Sequence, residues 1–241
     1  WHTTYKTDEM TAELVDEFVA FGKSLPVPLL TGNPEGVLDD ETKSPLHPDG
    51  SWNRKDYNTV IMFEGGQIKQ TYRKQHLVPF TEHFPYEREL PWLYNLLLAN
   101  DYNWWEKGYD PVVFETDEGV RFSTPICFED VFGYLAARFV RNGADVIVNM
   151  TNDSWSGAVS AEVQHLALAI FRSIETRKST IRGTNSGITA LILPTGKIVD
   201  PMEPFTKGWK IYDVPVFTEG PDTWYTLHED ILAIGTVYLS F

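Results

Sequence analysis

One cysteine, Cys127, stands among 241 residues. A lone thiol excludes an internal disulfide and any cysteine-cluster metal site, and leaves the redox compartment open. Basic residues are also scarce: 20 Lys and Arg against 34 Asp and Glu give a net charge of −14. That balance excludes a general nucleic-acid binder, which needs a basic face to release counterions. It also excludes a polybasic membrane patch. No apolar run is long enough to cross a bilayer. Gly-rich phosphate loops, dinucleotide fingerprints and G-x-S-x-G elbows are absent. The six histidines, His2, His47, His76, His83, His165 and His228, show no metal-ligand spacing, although a Cys–His pairing stays open. There is neither an initiator Met nor a signal peptide. The chain opens at Trp1 and stops on the apolar run ILAIGTVYLSF, so it reads as an excised portion of a longer protein.

What is present suits one large domain, or at most two small ones: 42% of the residues are hydrophobic and 14% aromatic. Residues 8–23 carry apolar side chains at helical spacing, with acids in the first turn. PLLTGNPEG reads as a short buried strand and a turn, and residues 38–56 as a polar surface loop. YNTVIMFEGGQIKQTYRK is a hairpin turning at Gly65-Gly66. An irregular loop over 75–86 and a short helix over 90–98 follow. VVFETDEGVRFSTPICF is a second hairpin, turning at Asp117–Gly119. Residues 130–142 read as a helix closed by Asn142-Gly143. DVIVNMTN is a strand buried on both faces, residues 160–178 a long helix, and STIRGTNSGITALILPTGKIVD a run of strands. Antiparallel hairpins beside a buried sheet make an α/β domain.

Four segments could carry chemistry. Cys127 is either a small buried hydrophobe, the commonest fate of a free cysteine, or a nucleophile. It sits where a strand ends and a helix begins, and backbone N–H groups there can stabilise a thiolate and an oxyanion. Glu129 and Asp130 follow it directly and oppose ionisation, so a nearby cation is needed. In YRKQHLVPFTEHFP, Lys74 and Glu82 are either solvent dressing or a partly buried pair, because the surrounding Leu, Val, Pro and Phe residues should pack the loop down. VNMTNDSWSG is either an ordinary polar turn or a pocket wall at the carboxyl end of a strand. In RSIETRKSTIRGTNSG, Glu175, Arg177 and Arg182 are expected to form a structural ion-pair network.

Taken together, LLTGNPE, YNTVIMF, YRKQHLVPFTEHFP, ICFEDVFG, VNMTNDSWSG, QHLALAIFRSIETRKSTIRGTNSGITALILPTGKIV and TWYTLHED resemble the nitrilase (carbon–nitrogen hydrolase) superfamily. They run in family order from residue 29 to about 230. More narrowly they resemble the nitrilase-like domain of the apolipoprotein N-acyltransferases, of which the K-x-H-L-V-P-F-x-E and T-N-D-x-W blocks are characteristic. The resemblance implies a nitrilase-like α-β-β-α sandwich of mixed sheets, spanning 1–241 as a single catalytic domain. It implies Cys127 as nucleophile and Lys74 as the cation beside it. Glu82 corresponds to a second glutamate needed for activity, and Glu129 to the carboxylate two residues after the nucleophile. The Phe128 N–H and Lys74 would form the oxyanion hole, and Asn152 and Trp155 would line the pocket. Thr81 stands where the family has Gly, and Phe128 where it has Tyr. The family's general-base Glu precedes the first long helix and has no counterpart here, so it is expected upstream of Trp1.

The implied reaction is acyl transfer from a phospholipid, through a thioester on Cys127, to the N-terminal amine of a diacylglyceryl-cysteine apolipoprotein. The partners are then these two lipids and the membrane surface, with no metal or organic cofactor and no nucleic acid. The expected place is a bacterial inner membrane, with the domain facing the periplasm. Two other readings stand beside it. One is a soluble amidase hydrolysing C–N bonds, with water as acceptor. The other is a non-catalytic lipid- or protein-binding domain.

Overall fold

The computed structural model describes residues 9–38, 54–100, 102, 104–218 and 220–239. The chain divides between Asp110 and Pro111 into two units, each with its own sheet.

In the first unit, β1 (Leu29–Leu38), β2 (Arg54–Glu64) and β3 (Gln67–Arg73) form an antiparallel sheet in the order β1-β2-β3. The β2–β3 hairpin closes through Gly65 and Gly66, at φ 58° and 81°. Successive positive φ values are what a two-residue hairpin turn requires, and glycine adopts them without steric penalty. Val60, Ile61, Met62, Phe63 and Tyr72 are buried. Helix α1 (Glu9–Ser24) packs on β2 and β3, with Val15 buried and Phe18 edge-on to Phe63, ring centroids 5.4 Å apart. Leu14 and Phe21 lie on the exposed side. Helix α2 (Pro91–Leu98) starts with proline at its first position and buries none of its residues.

Two expectations change here. PLLTGNPEG does not turn after a short strand: β1 runs through Asn33-Pro34-Glu35-Gly36 to Leu38 and stays in register with β2 throughout. It is an edge strand, where the N–H that proline lacks is not needed by a second neighbour. The loop expected over 38–56 loses Arg54, Lys55 and Asp56 to β2, and residues 39–53 lie outside the described residues.

In the second unit, β4 (Phe114–Glu115), β5 (Arg121–Ser123), β6 (Val146–Asn152), β7 (Ser179–Asn185), β8 (Ala190–Ile192) and β9 (Ile198–Val199) line up in sequence order. The β5-β6 and β6-β7 pairs are parallel, and the outer pairs antiparallel. The parallel connections carry α3 (Gly133–Arg141) and α4 (Val159–Thr176). Leu166 and Ala169 of α4 pack on Ile188 and Ile192. Two short helices, α5 (Trp224–His228) and α6 (Ile231–Leu239), end the described chain.

Helix α3 begins at Gly133, not at residue 130 as expected. Residues Cys127–Val131 form a separate 3-10 turn. Phe132, extended at φ −91° and ψ 100°, separates the turn from the helix, and Arg172 Nη1 of α4 donates to the carbonyls of Asp130, at 3.1 Å, and Val131.

Candidate active site

Lys74 and Cys127 each follow a strand, Lys74 in the first unit and Cys127 in the second. In the first unit, Lys74 immediately follows β3. Its backbone is pinned on two sides: its N–H donates to Asn58 O at 2.8 Å, and its carbonyl accepts from Gly108 N–H at 2.8 Å. A Cβ at residue 108 would run into the Arg73 carbonyl, so the close approach requires glycine. The Lys74 side chain is fully buried, with Nζ 2.8 Å from Glu82 Oε1 and 2.7 Å from Oε2. Glu82 also accepts from Val78 N–H at 2.8 Å and from Asn58 Nδ2 at 3.4 Å. Both are therefore a buried pair rather than solvent dressing. A carboxylate with this many donors holds a cation in place. The loop around it folds on itself: Phe80 N–H donates to His83 O at 2.7 Å, and Trp105 N–H donates to Glu82 O at 2.8 Å.

In the second unit, Cys127 opens the 3-10 turn that follows β5, with φ 54°. That left-handed value is rare for a residue with a side chain and is held here by several contacts. Asn149 Nδ2, from the neighbouring β6, donates to Cys127 O at 3.0 Å and to Pro125 O at 3.2 Å. Glu129 Oε2 accepts from Ile126 N–H at 2.7 Å, which ties this buried carboxylate to the turn. Cys127 is half-buried and is not packed into the core. Phe128 lies edge-on to Phe132, with ring centroids 5.3 Å apart.

One strand over, β6 ends in Asn152, and the following loop carries Asp153 and Trp155. Asn152 Oδ1 accepts from Ser154 Oγ at 2.7 Å and Asn185 Nδ2 at 3.1 Å, and Trp155 is 78% exposed. The carboxyl ends of the adjacent parallel strands β5 and β6 thus carry the Cys127 turn and the Trp155 loop, the usual place for a site in such a sheet.

Sequence reasoning missed what lies beneath these loops. Arg182 does not join Glu175. It is fully buried and pairs with Asp130 and, at 3.3 Å, with Asp153 Oδ2. His165 of α4 sits between the same two carboxylates: Nε2 is 2.8 Å from Asp130 Oδ1 and Nδ1 is 3.0 Å from Asp153 Oδ1. Burial alone would lower its pKa, but the two hydrogen bonds outweigh that and push it up to about 9. Burial would raise the Asp153 carboxyl, yet the hydrogen bond from His165, helped by Thr151 and Arg182, holds it below the usual range. Burial raises Glu162, whose Oε1 accepts from Ser156. Glu175 pairs with Arg172 instead, at 2.8 Å. The available signal was the spacing His165 to Arg172, seven residues and so one face of a long helix. Among the described residues, no cluster of three His, Cys, Asp or Glu side chains is placed to hold a metal ion.

The fold, an antiparallel three-stranded sheet and a mixed six-stranded sheet with helices, is that of the nitrilases. The structure of Saccharomyces cerevisiae Nit3, a member of branch 10 of the nitrilase superfamily, superposes with a TM-score of 0.53 at 20% identity, covering 79% of this chain and 60% of that one. A mutant amidase from Nesterenkonia sp. AN1, showing covalent addition of an acetamide moiety at its active-site cysteine, gives a TM-score of 0.53 at 15% identity over 80% of this chain and 64% of that one. The chain belongs to the carbon-nitrogen hydrolase family, which it matches over residues 44–218. It is 40% identical to apolipoprotein N-acyltransferase 1 of Treponema pallidum over 90% of its own length and 40% of that protein. To apolipoprotein N-acyltransferase 1 of Treponema denticola it is also 40% identical, over 97% and 44% of the two lengths. The chain thus spans well under half the length of these curated relatives.

Proposed function

We propose that this chain is the catalytic domain of an apolipoprotein N-acyltransferase. In this reading the Cys127 thiolate attacks the ester carbonyl of a phospholipid. The tetrahedral intermediate collapses, the C–O bond breaks, and a lysophospholipid leaves with a proton. The thioester left on Cys127 is then attacked by the free N-terminal amine of a diacylglyceryl-cysteine apolipoprotein. The C–S bond breaks, the thiol is regenerated, and an amide forms. Lys74 is the cation that offsets the charge of the intermediate, together with the Phe128 N–H. Glu82 fixes the Lys74 ammonium, Glu129 fixes the nucleophile turn, and Asn152 and Trp155 border the acyl pocket. The protein then works at a bacterial inner membrane, with this domain on the periplasmic side.

The observation that carries the reading is Cys127 itself: a half-buried thiol at positive φ, opening a turn at the carboxyl end of a strand. The identity to named acyltransferases over nearly the whole chain supports transfer over hydrolysis. Exposed apolar side chains near the Lys74 loop, Phe80 at 61% and Trp92 at 65%, suit a lipid substrate.

Product analysis tests it. The whole protein is incubated with phospholipid vesicles and a diacylglyceryl-cysteine peptide. Triacylated peptide and lysophospholipid are expected in equal amounts. Free fatty acid without acylated peptide would instead mark water as the acceptor and an amidase-like hydrolase.

A further inference from the structure

Three segments of the second unit meet at one histidine. Asp130 lies in the turn that Cys127 opens, Asp153 in the Asn152–Trp155 loop, and His165 in the second turn of α4. Each imidazole nitrogen is within hydrogen-bond distance of a different carboxylate, 2.8 Å to Asp130 and 3.0 Å to Asp153. An ionised carboxylate only accepts, so both ring nitrogens must donate, and the ring is an imidazolium. We propose that His165 is a positioning residue for the Cys127 nucleophile: by bridging Asp130 and Asp153 it couples the nucleophile turn to the Asn152–Trp155 loop. This rests on the reading of Cys127 as the nucleophile.

The charges around His165 agree. Facing it are Asp130 from the turn, Asp153 from the loop after β6, Arg182 from β7 and Glu162 from its own helix. Glu162 is buried, and that burial raises its pKa. Two cations, His165 and Arg182, thus face Asp130 and Asp153. If His165 loses its proton, Arg182 alone faces both aspartates, and one ring nitrogen becomes an acceptor turned toward a carboxylate. That nitrogen must release its partner. Arg182 is fully buried and permanently charged, so it is the fixed tie. His165 is the tie that can be broken.

The backbone of the turn is held separately, by Asn149 at the Cys127 carbonyl and by Arg172 at the Asp130 carbonyl. Those bonds fix where the turn lies. They do not link it to the loop that borders the acyl pocket. A left-handed residue such as Cys127 persists only where its surroundings over-determine it, so loosening Asp130, three residues on, shifts the thiol.

A buried ion cluster is often a purely structural feature. Rate against pH separates the two roles. Formation of the acyl adduct on Cys127 is followed by intact mass in the whole protein, with phospholipid vesicles and no acceptor, from about pH 6 to about pH 10. Each rate is divided by the thiolate fraction, read from iodoacetamide alkylation. In the wild type the corrected rate should fall as pH rises through about 9. His165→Gln should be slower by about tenfold or more at neutral pH and should show no such fall. Asp153→Asn, which breaks the other end of the bridge, should do the same.

Wild-type rate and an unchanged pH profile in folded His165→Gln would overturn the positioning role while leaving Cys127 as nucleophile. If both variants fail to fold, the wild type alone decides: a corrected rate that stays flat through about pH 9 overturns the role. No adduct in the wild type at any pH would sink the Cys127 reading, and the positioning role with it.

Discussion

Cys127 carries a positive φ that side chains adopt only at an energetic cost of order 1–3 kcal/mol, and its neighbours hold it there. The acids that follow it first look like an obstacle to ionisation. In the structure Glu129 accepts the Ile126 N–H, and Asp130 faces His165 and Arg182. The Lys74 ammonium is fully buried and paired with Glu82. Replacing it by methionine strands Glu82. Lys74→Met should therefore lower the melting temperature, by about 2–5 kcal/mol of stability, and abolish the Cys127 adduct. A variant that melts like the wild type and still acylates would refute both parts. For His165 the sign of the pH dependence is fixed. Its folded pKa is raised to about 9, so its contribution is fully present below the ordinary histidine range and is lost as pH rises through about 9. The loss should reach at most about 3 kcal/mol in denaturant titrations, and should vanish in His165→Gln. Stability that is flat between neutral pH and about 10 would contradict the imidazolium assignment.

At the scale of elements, the second-unit sheet is organised by connections rather than by strand length. Strands of two or three residues, β4, β5, β8 and β9, are held by a parallel centre whose crossovers carry α3 and α4. Arg172 is the joint, bonding two turn carbonyls and Glu175. Arg172→Ala leaves these carbonyls and the Glu175 carboxylate unmatched, so unfolding free energy should drop by about 2–4 kcal/mol. A loss below about 0.5 kcal/mol would mean water replaces it freely. Local chemistry made the hairpins readable: Gly65-Gly66 and Gly119 announce their turns in the sequence. The strand continuing through Pro34 was not readable, because what permits it is the edge position of β1. Nor was the late start of α3, where Phe132 is extended and Arg172, 42 residues from Asp130, bonds the turn. Cys127, Lys74 and Glu82 stood out through the motifs around them. His165 did not, because its meaning comes from two aspartates 35 and 12 residues distant.

At the scale of the molecule, an acidic chain of net charge −14 has no electrostatic attraction to anionic lipid. None of its described helices is long and apolar enough to cross a membrane. Its relatives are more than twice its length. What remains specific to this domain is one thiol, one cation and the frame around each. The central claim is that Cys127 carries the acyl group. Intact-mass measurement of the whole protein after incubation with phospholipid, without an acceptor, tests it most directly. A mass increase of one acyl group, reversed by hydroxylamine and missing in Cys127→Ala, is the expected result. An unmodified wild-type protein, or an adduct of the same size in Cys127→Ala, would contradict it.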